Sequence, residues 1–299
     1  MKKMSSGMLV PMLFLLAALV SSCRPSRPVF ETEMYNFADS TAHSHLSLNV
    51  ELPVPGNAVS EAVRDALVEI LDGSLSHLGS YEEERAFPPF PGANTHTDAL
   101  MAYYQEQAMQ RIGQLSREDF EDRELAIREN AELSAAEKTE LLASAPSWEY
   151  ELNLKELRRT DGYVVFASQD YIYMGGAHGG ILGAGFPAFD RRDGHRVSPV
   201  LRPDCTEEIQ PLLVRGLLQY FRDAEAEVSE EELPGMLLLE DEGRIPLPAW
   251  DPYPGEDGLV FTYQQYEIAS YAAGMPSFVI PYAEVRGFLT PDACAVFGL

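Results

Sequence analysis

The pattern of apolar and polar residues first predicts β-strands. Apolar side chains occupy every second position within residues 42–52 and again within residues 148–155, the period expected of half-buried strands. These positions are Leu46, Leu48, Val50 and Leu52 in the first segment, and Trp148, Tyr150, Leu152 and Leu154 in the second. Asp161 and Gly162 then predict a hairpin turn into a further strand, and two more strands are predicted at 258–263 and 277–281.

Apolar residues at helical spacing predict several helices between these strands. One helix follows Asn57, a favourable N-cap, and its apolar face continues to Gly73. A second, amphipathic helix is predicted at 206–221, and a short closing helix at 282–289. Strands joined by hairpins and interleaved with helices predict an α+β fold, in which a largely antiparallel sheet and its packed helices form one compact unit.

Residues 98–146 differ from the rest of the chain because they are polar and helical throughout. The patterns Ser116-x-x-Asp119 and Ser134-x-x-Glu137 resemble capping boxes and predict two helix starts within this segment. Because the segment interrupts a strand-rich sequence, we interpret it as a helical insertion.

The first residues are typical of a bacterial export signal. A basic start precedes an apolar run over residues 8–20, which is shorter than the roughly 20 residues needed to span a bilayer. The run ends in Val-Ser-Ser before Cys23, the lipobox pattern of lipoproteins; the alternative is an ordinary secreted protein with a chance cysteine at this point. The predicted boundaries are a signal peptide at 1–22, a tether at 23–33 and a folded domain at 34–299, with lipid attached at Cys23 and the domain facing the periplasm.

The charge balance excludes one large class of partner. The chain has 22 basic and 47 acidic residues, which give a net charge of −25. Nucleic acids are not expected as partners, because their binding relies on basic contacts with phosphate, and anionic lipid headgroups are disfavoured for the same reason. Contact with a membrane is therefore expected only through the lipid anchor. A basic protein, or no charged partner at all, fits this surface better.

Cys205 and Cys294 are the two cysteines that remain after lipidation. In an oxidising compartment they could form a disulfide closing a loop of about 90 residues, worth roughly 4–5 kcal/mol in the chain-entropy model. Two free thiols are the equal alternative, because the sequence does not report the distance between them.

A glycine-rich segment over residues 175–180 is the first candidate for chemistry. It lacks the Lys-Ser/Thr ending of a P-loop and the spacing of a dinucleotide fingerprint, so we interpret Gly175, Gly176 and Gly179 as a wide turn. His178 could act as a base or a ligand, but no other histidine or cysteine has the spacing of a metal site. We therefore expect no catalytic residue, no metal and no cofactor.

Two aromatic segments are candidates for recognition. Trp250 lies in a proline-rich stretch that could stack on sugars or peptides, or could simply close over the core. Residues 261–276 form an almost uncharged, tyrosine-rich stretch ending in Gly274 and Pro276. Tyrosines on a rigid turn suit protein recognition, while the alternative is that Tyr263, Tyr266 and Tyr271 are buried packing residues.

Several motifs of the chain occur together in one known family. They are Tyr173-x-Gly-Gly-Ala-His-Gly179, Phe189-Asp190 followed by Asp193-Gly194, Tyr266-Glu-Ile-Ala-x-Tyr-Ala-Ala-Gly274 and Ile280-Pro281-Tyr282. This series resembles the extracellular domain of RsiV-type anti-sigma factors, which sense lysozyme by binding it. It is also similar to the N-terminal part of PdaC-type deacetylases and to bacterial lipoproteins of unassigned function.

The resemblance, which covers roughly residues 30–290, implies a compact domain whose glycine motifs are not catalytic. The implied partner-binding residues are Tyr266, Glu267, Ser270, Tyr271, Gly274, Met275 and Pro276. Ser270 departs from the proline often found before the tyrosine, and no sigma-binding segment is recognised in the sequence, so we do not expect an anti-sigma factor.

The expected function is therefore an envelope lipoprotein with a non-enzymatic protein-binding domain, whose partner is a basic, lysozyme-like muramidase. One alternative is a cell-wall glycan-handling enzyme with His178 and nearby acids at its site. Another is a structural lipoprotein with no soluble ligand.

Overall fold

The fold is described from a computed structural model. It covers residues 29–79, 85–176, 179–224, 228–239 and 243–299. The predicted signal peptide, Cys23 and His178 lie outside these residues. Within them, no helix is both long enough and apolar enough to cross a membrane.

A six-stranded mixed sheet forms the centre of the structure. Its strands are β1 (Thr32–Ser40), β2 (Ser44–Pro53), β3 (Trp148–Arg159), β4 (Tyr163–Tyr173), β5 (Ile181–Gly185) and β6 (Ala188–Asp190). They are ordered β1-β2-β3-β4-β5, and β6 also pairs with β4. The α+β class is confirmed, with one difference: β2 and β3 are parallel. Parallel neighbours need a crossover, and here the helices between the two strands provide it.

Seven helices and a small antiparallel sheet complete the described fold. The helices are α1 (Ala58–Ser76), α2 (Thr97–Glu129), α3 (Ala135–Ala143), α4 (Gln210–Asp223), α5 (Leu233–Met236), α6 (Tyr282–Val285) and α7 (Pro291–Phe297). The small sheet has the order β7 (Tyr253–Pro254), β8 (Gly258–Thr262) and β9 (Ser277–Pro281).

Strand β4 separates two hydrophobic cores. Val164 and Phe166 point into the core that contains β2, β3, α1 and α2, whereas Tyr163 and Val165 point into the core that contains α4 and the small sheet. Side chains alternate across a strand, so neighbouring residues reach opposite faces. Both faces of β4 are therefore apolar over residues 163–166, which explains why these four consecutive residues are all apolar in the sequence.

Helix starts were predicted correctly where a side chain truly caps the backbone. The Asn57 side chain accepts a hydrogen bond from Ser60 N, and Ser134 forms the expected capping box with Glu137. The predicted start at Ser116 is wrong. Ser116 is buried in the middle of α2, whose buried face runs through it, and Asp119 instead accepts a hydrogen bond from Trp148 Nε1.

The interpretation of 98–146 as an insertion concerns α2 and α3, which differ in burial. The first half of α2 contributes Leu100, Tyr104 and Ile112 to the core beneath the large sheet. Helix α3 has no buried residue. The polar texture seen in the sequence thus comes from α3 and the second half of α2.

A buried arginine joins α1 to the turns on either side of it. Arg64 is 1% exposed and donates hydrogen bonds to the carbonyls of Pro53 and Asn94 at 2.7 Å and to Thr97 Oγ1 at 2.5 Å. Burial lowers the pKa of its guanidinium. Three fixed acceptors compensate part of the cost of removing this charge from water.

Candidate functional site

The glycine segment and the tyrosine-rich stretch, which are far apart in the sequence, contact each other. The hydroxyl of Tyr271 donates a hydrogen bond to the carbonyl of Gly180 at 2.9 Å. Gly179 has a φ of +77°, and a Cβ there would lie 2.7 Å from the same hydroxyl. A glycine at 179 is therefore needed both for its backbone conformation and for the close approach of Tyr271.

Two glutamines extend this contact along the outer edge of β5. Gln265 Oε1 accepts from Leu182 N at 2.7 Å, and Gln264 Oε1 accepts from Ala184 N at 2.8 Å. Gln264 Nε2 in turn donates to the carbonyl of Ala184 at 2.8 Å. Side-chain amides thus take the place of a neighbouring strand at an edge that would otherwise be open for pairing. We call residues 263–276 the tyrosine loop.

The exposed tip of the tyrosine loop is Tyr266, which has an unusual backbone conformation. Its φ is +65°, a value uncommon for a residue other than glycine. Glu267 holds the turn, because its carboxylate accepts hydrogen bonds at 2.7 Å from both Gln264 N and Ala249 N. Tyr266 is 51% exposed, and its ring centroid lies 5.9 Å from that of Tyr271. The strained turn therefore presents an aromatic ring to solvent.

The second half of the tyrosine loop is attached to the core. Tyr220 donates a hydrogen bond to the carbonyl of Ala273 at 2.6 Å, and the carbonyl of Pro276 accepts one from Tyr263 N at 2.9 Å. Gly274 ends a short 3-10 turn with a φ of +70°. Pro276 is buried, Met275 and Gly274 are half-buried, and Ser270 is exposed.

The three tyrosines that were predicted together have different environments. Tyr263 is fully buried, donates a hydrogen bond to the carbonyl of Pro246 at 2.8 Å, and has a pKa raised by burial. Tyr271 is half-buried and Tyr266 is exposed. Tyr263 is therefore a buried packing residue, whereas the side chain of Tyr266 is accessible to a partner.

The first two glycines of the segment differ in backbone conformation. Gly175 has a φ of +72°, and Arg123 of α2 donates hydrogen bonds to the carbonyls of Gly175 at 2.7 Å and Met174 at 3.0 Å. Gly176 is exposed, and among the residues that the structure describes a Cβ there would meet nothing within 4 Å. Only Gly175 of this pair thus has a backbone conformation that demands glycine.

Both remaining cysteines are free. Cys205 is buried in the core around α4, and Cys294 is half-buried on α7. Burial is also the main reason that the pKa of the Cys205 thiol is raised, which makes this thiol a poor nucleophile.

One group of described residues has ligand atoms close enough to hold a metal: Asp190, Asp193 and His195. These groups already have partners within the protein. Asp190 pairs with Arg192, and His195 bridges Asp193 and Asp292. Burial lowers the pKa of His195, but its hydrogen bonds to the two carboxylates outweigh this and raise it. The hydrogen bonds of this group therefore connect α7 to the hairpin that follows β6.

The fold is similar to two crystal structures. One is a member of the DUF3298 family from Bacteroides fragilis, with a TM-score of 0.63, 18% identity, and coverage of 91% of this chain and 97% of that chain. The other is a DUF3298 family protein from Pseudomonas aeruginosa PAO1, with a TM-score of 0.53, 16% identity, and coverage of 89% and 97%. These likenesses concern the fold alone.

The sequence adds a match of its own. Residues 215–283 match the family model of DUF3298, a protein family of unknown function, and no curated protein matches the chain. The matched region includes the whole tyrosine loop. The chain is therefore similar to DUF3298 proteins in the sequence of residues 215–283 and in its fold.

The turn geometry predicts that the two adjacent glycines tolerate substitution differently. We expect Gly175→Val to lower the free energy of unfolding by about 2 kcal/mol, because a β-branched residue at positive φ is strained and its Cβ would lie 3.0 Å from Pro146 Cγ. Gly176→Val serves as the matched control and should change it by less than about 0.5 kcal/mol. Denaturant unfolding of both variants tests this, and equal losses would contradict the account of the turn.

Proposed function

We propose that this chain is an envelope lipoprotein whose folded domain binds another protein through the tyrosine loop, and that the partner is a lysozyme-like muramidase. The observation that carries the proposal is the exposed ring of Tyr266, which stands on a turn fixed from both sides. The resemblance of this loop to that of lysozyme-sensing domains supports the choice of partner.

Preorganisation makes the tyrosine loop suitable for binding. Gln264 and Gln265 attach the loop to β5, and Tyr271 attaches it to Gly180, the residue before that strand. The Tyr220 hydroxyl attaches it to α4. A loop that is already ordered loses little conformational entropy when a partner binds. Tyrosine adds a large amphipathic contact area with few rotatable bonds.

The electrostatics favour a basic partner. The net charge of −25 attracts a basic protein over distance and accelerates its encounter, while the contacts of the loop determine how long it stays. Within the loop the one carboxylate, on Glu267, accepts two backbone hydrogen bonds, so it is committed to holding the turn. This supports a recognition role for the loop without catalysis.

Lipid anchoring is the part of the proposal that rests on the sequence before residue 29. We expect Cys23→Ala to abolish lipid labelling and to leave unprocessed precursor, because the cysteine is both the lipid acceptor and the residue after the cleavage point. Metabolic labelling with a fatty-acid analogue, followed by a blot of the whole protein, measures both effects. Clean processing of the variant to a secreted form would contradict a lipoprotein signal.

Binding to c-type lysozyme tests the role of the loop. We expect Tyr266→Ala to weaken binding about thirtyfold, which corresponds to about 2 kcal/mol for an aromatic anchor at an interface centre. Tyr271→Phe keeps the ring and removes only the hydrogen bond to Gly180, so its effect should stay below about fivefold. Surface plasmon resonance with melting curves measures both.

Two controls separate the loop from the general charge of the surface. Leu125→Ala, on a 56% exposed side chain of α2, should bind like the wild type. Charge reversal at Glu230 and Glu231 should slow association and leave dissociation unchanged. Glu232 is not changed, because its carboxylate accepts hydrogen bonds from Ser229 N and Oγ. No binding by the wild type at micromolar lysozyme would reject the partner, and unchanged binding by Tyr266→Ala would reject the loop.

A further inference from the structure

A second surface feature lies beside the tyrosine loop, from which only Gln264 lines it. It is an open cleft of about 740 Å³ between α1 and the strands β4 and β5. Glu69 of α1 and His77, the residue after α1, form one wall. Asp170 of β4 lies on the floor, and Arg196 and Trp250 form the opposite wall. This volume lies within the range of pockets that bind small molecules.

A smaller pocket of about 170 Å³, which we call the chamber, adjoins the cleft. The chamber shares Ser74, His77 and Asp170 with the cleft, and Tyr150 of β3 lines it. The Tyr150 side chain is buried, and its hydroxyl has no hydrogen-bond partner among the residues that the structure describes. A buried hydroxyl without a partner is costly, so a group that enters the chamber and bonds to it would gain stability.

Asp170 is the polar group at the junction of the two spaces. Its carboxylate is half-buried, and within the described ranges no side chain forms an ion pair or hydrogen bond with it. Burial raises the pKa of this carboxylate. Ligand groups that donate hydrogen bonds would therefore be favoured here.

Trp250 is held in place at the mouth of the cleft. Its indole packs directly against Gly185, where a Cβ would lie 3.3 Å from the ring, and its side chain remains 40% exposed. The neighbouring Asp251 anchors the segment, because its carboxylate accepts hydrogen bonds from Ser198 Oγ at 2.6 Å and Val200 N at 2.8 Å. The aromatic ring is therefore preorganised.

From these groups we infer that the cleft binds a neutral, hydroxyl-rich ligand, namely a saccharide. A pyranose ring has an apolar C–H face that suits the Trp250 indole and a rim of hydroxyls that suits Asp170 and the Tyr150 hydroxyl. A strongly charged ligand fits less well, because Glu69 and Asp170 on one side are opposed by Arg196 on the other. The inference does not rest on muramidase binding, since the exposed Tyr266 is not among the residues lining the cleft.

The test is isothermal titration of the whole folded protein, without lysozyme, against chitotetraose and maltotetraose. We expect at least one of them to bind at millimolar concentration or below. Trp250→Ala and Asp170→Asn should each weaken that binding at least tenfold, while Trp250→Phe retains part of it and controls for folding. Tyr266→Ala should leave saccharide binding unchanged, which separates this site from the proposed protein interface.

Tyr150→Phe distinguishes a ligand contact from a structural role. If the hydroxyl bonds to the saccharide, the variant should bind about fivefold or more weakly while its melting temperature stays equal or rises, because an unpartnered buried group has been removed. The inference would be overturned if neither saccharide binds to the wild type. It would also be overturned if Trp250→Ala and Asp170→Asn bind the saccharide as tightly as the wild type does. Binding of choline in place of a saccharide would overturn it too, and would identify a cation site.

Discussion

The arrangement of the candidate site depends on the hydrogen bonds that join the tyrosine loop to the open edge of β5. Gln264 and Gln265 satisfy backbone groups of Leu182 and Ala184, and Tyr271 satisfies the carbonyl of Gly180. These bonds link the small antiparallel sheet to the large mixed sheet. They also cover an edge that would otherwise be free to pair with another chain. This attachment, together with the two backbone hydrogen bonds that Glu267 accepts, supports the positive φ of Tyr266.

Strand β4 has a comparable role inside the protein. Its neighbouring residues Val164 and Val165 belong to different cores, so the two halves of the structure share one strand. The same strand supplies Asp170 to the cleft, and its partner β5 lines the cleft with Gly183, Ala184 and Gly185. Both proposed binding surfaces therefore involve β5, and Gln264 contributes to both.

Local patterns in the sequence were sufficient for features that depend on local physics. Period-two alternation located β2 and β3, and the side chains of Asn57 and Ser134 cap helices as predicted. Strand β1 was not predicted because all nine of its residues are exposed or half-buried, which leaves no clear alternation. Helix α7 was also missed. Its seven residues are too few to show helical periodicity, although Thr290 caps it with the expected hydrogen bond.

The interactions that define the two surfaces could not be read from local patterns. The bond between Gln264 and Ala184 spans 80 residues, and the parallel pairing of β2 with β3 is decided by the path of the intervening helices. The covered edge of β5 had one signal in the sequence. Gln264 and Gln265 are adjacent, follow a predicted strand and lie in a stretch with almost no charge. For the cleft, the sequence indicated only Trp250 as a candidate for ligand stacking. Most of the other lining residues come from α1, β4 and β5, which are far apart in the sequence.

The central claim is that the tyrosine loop is a preorganised protein-binding surface, and hydrogen exchange measured with and without c-type lysozyme tests it most directly. In the free protein, the amides of Leu182 and Ala184 should be protected although β5 is an edge strand, because glutamine side chains accept their hydrogen bonds. Addition of lysozyme should slow exchange further within residues 264–275 and leave α3 unchanged. Rapid exchange at Leu182 and Ala184, or protection by lysozyme that omits the loop, would contradict the account.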